Sequence, residues 1–191
     1  MPNPTLKMDS VTVLDKDSDG VHFKNSLIHS STTFPAGGTG NPISVAIIVD
    51  QKGNTVEGGT FTSGAWRTRD LNTEISDPDG IVSVSSNQFT LGAGTYLISW
   101  SAPAFVTQVH VSKLYSVTDS SDLRIGTSEY SNGTHGTNTR STGQFVHAPS
   151  GSHTYEIRHR CDVTRNINGL GSGANFGVVN IFTEVLIQKL K

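Results

Sequence analysis

The sequence predicts an all-β protein, an antiparallel sandwich of jelly-roll type carried on a short N-terminal arm, and three observations predict it. Gly, Ser, Thr and Asn are abundant while charged residues make up only 16% of the 191-residue chain, a mixture that suits strands and turns and disfavours long helices. Apolar runs recur at 43–49, 81–84, 95–100, 105–117, 155–161 and 176–190. Between them stand chain-reversing clusters: Asp77-Pro78-Asp79-Gly80, Gly92-Ala93-Gly94, Ser131-Asn132-Gly133 and Pro149-Ser150-Gly151.

The length suits one domain with an appended arm and is enough to bury a core. Residues 30–42 lack large apolar side chains, apart from Phe34, and are crowded with turn formers, so they read as a linker and place a boundary after Pro42. Residues 1–42 are then an arm. Within it Val11-Thr12-Val13-Leu14 reads as a strand and Asp15-Lys16-Asp17-Ser18-Asp19-Gly20 as a tight turn into Val21-His22-Phe23. So small a hairpin is marginal alone in water and is expected to fold against something else. Residues 43–191 form the head.

Alternation assigns faces within the head. Along 155–162, Tyr155, Ile157, His159 and Cys161 share one face and Glu156, Arg158, Arg160 and Asp162 the other, so one side packs on a core. The last run, read as one uninterrupted strand, is apolar on both faces: Phe176, Val178, Phe182, Leu186 and Leu190 on one, Val179, Ile181, Val185 and Ile187 on the other. A strand of an antiparallel sandwich ordinarily solvates one face. Phe176, Val179, Ile181, Phe182, Val185 and Ile187 are therefore expected at a subunit interface or in the core, with a central strand covered by the arm or a loop as the other explanation.

The segment Phe89-Thr90-Leu91-Gly92-Ala93-Gly94-Thr95-Tyr96-Leu97-Ile98 resembles the mid-domain signature of the C1q and tumour-necrosis-factor superfamily. The wider run from Gly58 through Tyr96, with Tyr155-Glu156-Ile157-Arg158-His159-Arg160-Cys161 and Asn175-Phe176-Gly177, resembles the C-terminal heads of bacteriophage fibre proteins. That resemblance implies a C1q/TNF-like jelly roll of ten strands, assembly as a homotrimer, and an N-terminal segment that fixes the head to other virion proteins of capsid or tail. The arm is short beside the long stalks of tail fibres, which admits a head fibre, a capsid decoration protein or a tail fibre.

The remaining chemistry is sparse. A net charge of −2, with no dense cluster of Lys and Arg, argues against nucleic acid. No run approaches a membrane span and no export signal is visible. Cys161 is the sole cysteine, excluding an intrachain disulfide, and it falls on an apolar strand face where an inert thiol is expected. Asp15, Asp17 and Asp19 before Gly20 match the opening of a calcium loop, but Ser26 stands where the closing carboxylate belongs, so a plain acidic turn is the first reading and calcium the second. No other cofactor is expected. Of seven histidines, His110 or His159 could meet its copies on a trimer axis to bind a metal, against a hydrogen-bonded structural role. Asp77 with Asp79, and Asp119 with Asp122, are the nearest approach to a glycosidase carboxylate pair, and both lie in turn sequences. Residues 130–140, with Tyr130, Asn132, His135 and Arg140, have the adaptable polar character of a receptor loop for cell-surface carbohydrate.

These readings converge on a non-enzymatic, trimeric virion protein that attaches and binds. The alternative is a free, soluble, lectin-like binding protein of the C1q-like superfamily.

Overall fold

The computed structural model describes residues 43–191 in full and, before them, only the backbone of four short strands: β1 (Lys7–Met8), β2 (Val11–Thr12), β3 (Leu14–Asp17) and β4 (Gly20–Phe23). These pair as β1–β2 and β3–β4, the second with Asp15 opposite His22 and Asp17 opposite Gly20. The chain divides into two compact units, Met1–Pro42 and Ile43–Lys191.

The second unit holds β5 (Ser44–Lys52), β6 (Arg67–Thr68), β7 (Thr73–Ser76), β8 (Val82–Ser85), β9 (Gln88–Leu91), β10 (Tyr96–Phe105), β11 (Gln108–Ser116), β12 (Ser121–Ser131), β13 (Asn138–His147), β14 (His153–Cys161) and β15 (Asn180–Lys189). Eleven strands thus stand where the resemblance implied ten. One sheet runs β13-β10-β15-β5-β7, the other β12-β11-β14-β9-β8 with β6 added to β14. Every pairing is antiparallel, and chain neighbours such as β9 and β10 lie in different sheets, the hallmark of a jelly roll. Among the described residues there is no helix.

Alternation builds the core. Tyr96, Ile98, Trp100, Ala102 and Ala104 of β10 point inward, as do Tyr155 and Ile157 of β14, and they meet Ala46, Ile48, Val185 and Ile187 in one apolar cluster except for Ala104. Ala104 joins Phe61 and Cys161 in a smaller cluster beyond it. Gly143 of β13 is required here, since a Cβ at that position would lie 2.1 Å from the Trp100 ring. Pro103 is tolerated in the middle of a sheet because β15 stops pairing with β10 at Ser101. Its carbonyl turns to Arg69 instead, so the missing N–H removes no ladder bond on that side.

The last strand departs from the sequence reading. Residues 176–179 precede it in a loop, with Phe176 86% exposed, and a bulge between Ile181 and Glu184 inserts an extra residue against β5. The bulge shifts the alternation, so Phe182, Val185 and Ile187 all face the core while Ile181, Glu184 and Leu186 face out. Phe182 and Val185, placed on opposite faces by simple alternation, share one.

Candidate functional site

Three places gather the polar, charged or uncovered side chains of the second unit. The first is the outer face of the five-stranded sheet. Cross-strand register aligns Val146, Leu97, Gln188 and Val45 in one row and Gln144, Ser99, Leu186 and Ile47 in the next. Ile43 and Leu190 extend the apolar part; Ile43 is 56% exposed and Val146 54%. Toward the other end the face turns polar: Arg140 donates from Nε to Ser101 Oγ at 2.6 Å and from Nη2 to the carbonyl of Phe182.

The second place is the end of the sandwich opposite the entry of the chain. β5 enters beside Lys189, Tyr96 and His147, whereas the turns at 53–57, 132–137 and 162–179 all cluster at the far end. The β12–β13 turn closes on Asn132, which accepts at its Oδ1 from Thr134 N at 2.7 Å, donates its own N–H to Thr137 Oγ1 and accepts at its carbonyl from Thr137 N at 3.2 Å. His135 stands exposed at the tip. Of the four receptor-loop residues expected from sequence, Tyr130 lies on the outer face of the six-stranded sheet, Asn132 and His135 lie in the turn, and Arg140 lies on the five-stranded sheet. The structure therefore separates Arg140 from the other three.

The third place is buried. Arg69 has no exposed surface and donates to Thr183 Oγ1 at 2.7 Å, Pro103 O at 3.2 Å and Leu170 O at 2.7 Å, all neutral oxygens. Desolvation draws its guanidinium down to about 10, against the more distant pull of Asp50 and Asp70. Nearby, His110 Nδ1 and His159 Nε2 are 3.0 Å apart, and His110 Nε2 lies 2.7 Å from Thr139 Oγ1 across the sandwich. The tautomers that pair most groups have His159 Nε2–H donating to His110 Nδ1 and His110 Nε2–H donating to Thr139, which leaves His159 Nδ1 bare and partnerless. Burial and then the Arg69 charge lower both rings, His110 to about 4 and His159 well below the usual imidazole value. Both side chains point inward, so neither reaches an outer surface where subunit copies could meet on an axis.

Three of the four carboxylates weighed for hydrolysis have other partners. Asp77 accepts from the N–H groups of Ile81 and Val82 at 2.9 Å each. Asp122 pairs with Lys113 at 2.5 Å. Asp119 Oδ2 takes the Ser116 hydroxyl at 3.0 Å and lies 2.8 Å from His153 Nε2. Ser116 Oγ also approaches that same nitrogen, at 2.9 Å. A charge-relay triad needs serine and aspartate on opposite nitrogens of the ring, so this cluster does not form one. Burial raises the Cys161 thiol to about 11, which makes it inert at neutral pH. The side chains of Asp15, Asp17 and Asp19 lie outside the described residues.

Sequence reasoning missed Arg69 and the packing of Lys113, an outward residue buried beneath the Trp66 ring at 4.0 Å. A lone Trp in the polar stretch Ser63-Gly64-Ala65-Trp66-Arg67 was the available signal for the second. Arg69 offered none.

Two antiparallel sheets in this strand order form a jelly-roll sandwich. The structure is similar to Eiger TNF from S. frugiperda, with a TM-score of 0.54 and 12% identity over 78% of this chain and 94% of that one. It also aligns with the globular domain of zebrafish complement 1qA protein, at a TM-score of 0.44 and 10% identity over 76% of this chain and 94% of that one. PRD1 vertex protein P5 aligns at a TM-score of 0.46 and 11% identity, over 78% and 97% respectively. At such identities the likeness is one of fold alone. No family model and no curated protein sequence matches the chain.

Proposed function

We propose that this chain is a bacteriophage virion structural protein, a homotrimeric fibre or knob whose head, Ile43–Lys191, attaches to a host surface or environment and whose arm, Met1–Pro42, fixes it to capsid or tail. The observation that carries the reading is the apolar outer face of the five-stranded sheet, which no other element of the second unit covers. Val45, Ile47, Leu97, Val146 and Leu186 leave apolar surface in water on a sheet whose other face is already filled, and a contiguous patch of that kind marks a protein interface. A closed ring of three copies would cover it with one repeated contact. The sequence resemblance to phage fibre heads supports the virion setting, and the chain's entry at one end with its turns at the other suits a mounted head.

The experiment is particle incorporation. Phage assembled with a chain lacking residues 1–42 should carry none of it, while the full chain should be found on purified particles by immunogold electron microscopy. Normal incorporation of the shortened chain would contradict the anchoring role, and absence of the full chain from particles would contradict the virion setting.

A further inference from the structure

The outer face of the six-stranded sheet carries, at its far end, a groove of about 520 Å³ lined by Ser63, Gly64, Val109, Val111, Arg160 and Asp162 among others. Its floor, Val109, Val111, Arg160 and Asp162, belongs to two cross-strand rows that continue beyond the groove onto Tyr130 and Ser128 of β12. Tyr130 pairs with Val109, whose carbonyl accepts the N–H of Asp162 at 2.9 Å. Ser128 pairs with Val111, which pairs with Arg160. Alternation turns these side chains outward: His110 and Cys161 between their neighbours are buried, and Ser128 and Tyr130 of β12 are exposed. Tyr130 is 54% exposed and Val109 53%. The segment carrying Ser63 and Gly64 forms the wall, held where Ser63 Oγ meets Thr164 Oγ1 at 3.0 Å.

Arg160 and Asp162 sit two residues apart on this floor, and among the described residues neither side chain has a hydrogen bond or an ion pair. On the same sheet Lys113 is matched with Asp122 and Arg158 with Glu156, which leaves Arg160 and Asp162 as the opposite charges that line the groove without an ion pair. The geometry points to a binding site for a neutral saccharide with neighbouring hydroxyls, an inference that rests on reading the chain as an attachment head. A guanidinium only donates and a carboxylate only accepts, whereas a hydroxyl does both, so vicinal hydroxyls can accept from Arg160 while donating to Asp162. A simple anion would face Asp162 and a simple cation Arg160; the pair together favours a ligand without net charge. Val109 in the groove, with Tyr130 paired beside it on β12, offers an apolar strip for the C–H face of a sugar ring. The volume lies in the range of about 300–1,000 Å³ typical of small-molecule sites.

The test is saturation-transfer difference NMR on the full chain with glucose, galactose, mannose, N-acetylglucosamine and lactose, and with glucuronic and sialic acids as charged controls. At least one neutral sugar should receive saturation, and Arg160→Ala and Asp162→Ala should each weaken its apparent affinity by roughly tenfold or more. Ser83→Ala, on the exposed side of β8 at the other edge of the same sheet, should leave it unchanged, and all three variants should melt with the parent. No transfer to any neutral sugar, transfer to the acidic sugars alone, or binding that survives both groove substitutions would overturn the assignment. Light scattering on the same sample separates this result from the assembly: a trimer that takes no sugar removes the groove alone, whereas a monomer that binds sugar removes the assembly and leaves the groove standing.

Discussion

Arg69 and the His110–His159 pair place three nitrogen bases inside a closed sandwich, and only the first is charged at neutral pH. The groups acting on the two rings are each other and Arg69; Thr139 and Phe61, packed against them from other elements, carry no charge, and among the described residues no carboxylate stands close enough to favour the protonated rings. Both rings bind protons more weakly folded than unfolded. The unfolded chain therefore takes up protons first as pH falls, and stability that is full above the ordinary imidazole value of 6.5 is lost progressively toward about 4. For His110 alone the loss is about 3 kcal/mol, since each tenfold weakening of proton affinity on folding corresponds to roughly 1.4 kcal/mol. Burial raises Asp50, which acts in the opposite sense. Urea midpoints should drop markedly between pH 7 and pH 4.5, and a midpoint flat across that window would contradict the buried pair. Gly143 makes a second residue-scale prediction. Gly143→Ala forces its methyl into the Trp100 ring and should lower stability by about 1–3 kcal/mol in the same urea experiment; an unchanged midpoint would refute the close approach.

At the scale of elements the instructive strand is β15. Phe182→Ala opens a cavity in the core and should destabilise by about 3–5 kcal/mol, whereas Phe176→Ala, six residues earlier and almost fully exposed, should stay within about 0.5 kcal/mol. Equal effects in thermal melts would mean that the bulge and the loop before it are misplaced. Strands rich in large apolar residues were legible in the sequence: β5, β10, β11, β14 and β15 all fall in the apolar runs, and the inward set Tyr155, Ile157, His159 and Cys161 is buried as alternation requires. β12 and β13 were not, because edge strands such as Asn138–His147 put Thr, Ser and Gly where a central strand would put Val or Ile. Their polar composition made residues 130–140 read as one loop, although Arg140 belongs to a strand. A bulge leaves no mark in hydrophobic periodicity, which is why the faces of β15 needed correcting. The groove was half legible: Tyr130 stood out as a candidate, and Arg160 and Asp162 were assigned to the outward face. That these residues are neighbours depends on the β11–β12 and β11–β14 registers, which no local pattern encodes.

At the scale of the molecule, the two faces of the five-stranded sheet are to be told apart by one pair of substitutions. Val185→Asp buries a charge in the core and should prevent folding, while Leu186→Asp, its neighbour on the outer face, should leave a folded head that no longer assembles. Circular dichroism reads the first effect and sedimentation the second; a Leu186→Asp variant that sediments with the parent would show that the outer apolar face is not the contact. The central claim is that this face is covered by further copies of the chain. Multi-angle light scattering of the purified full-length protein tests it most directly: the account predicts a particle of three times the 20.4 kDa chain mass. A single-chain mass at the same concentration would contradict it.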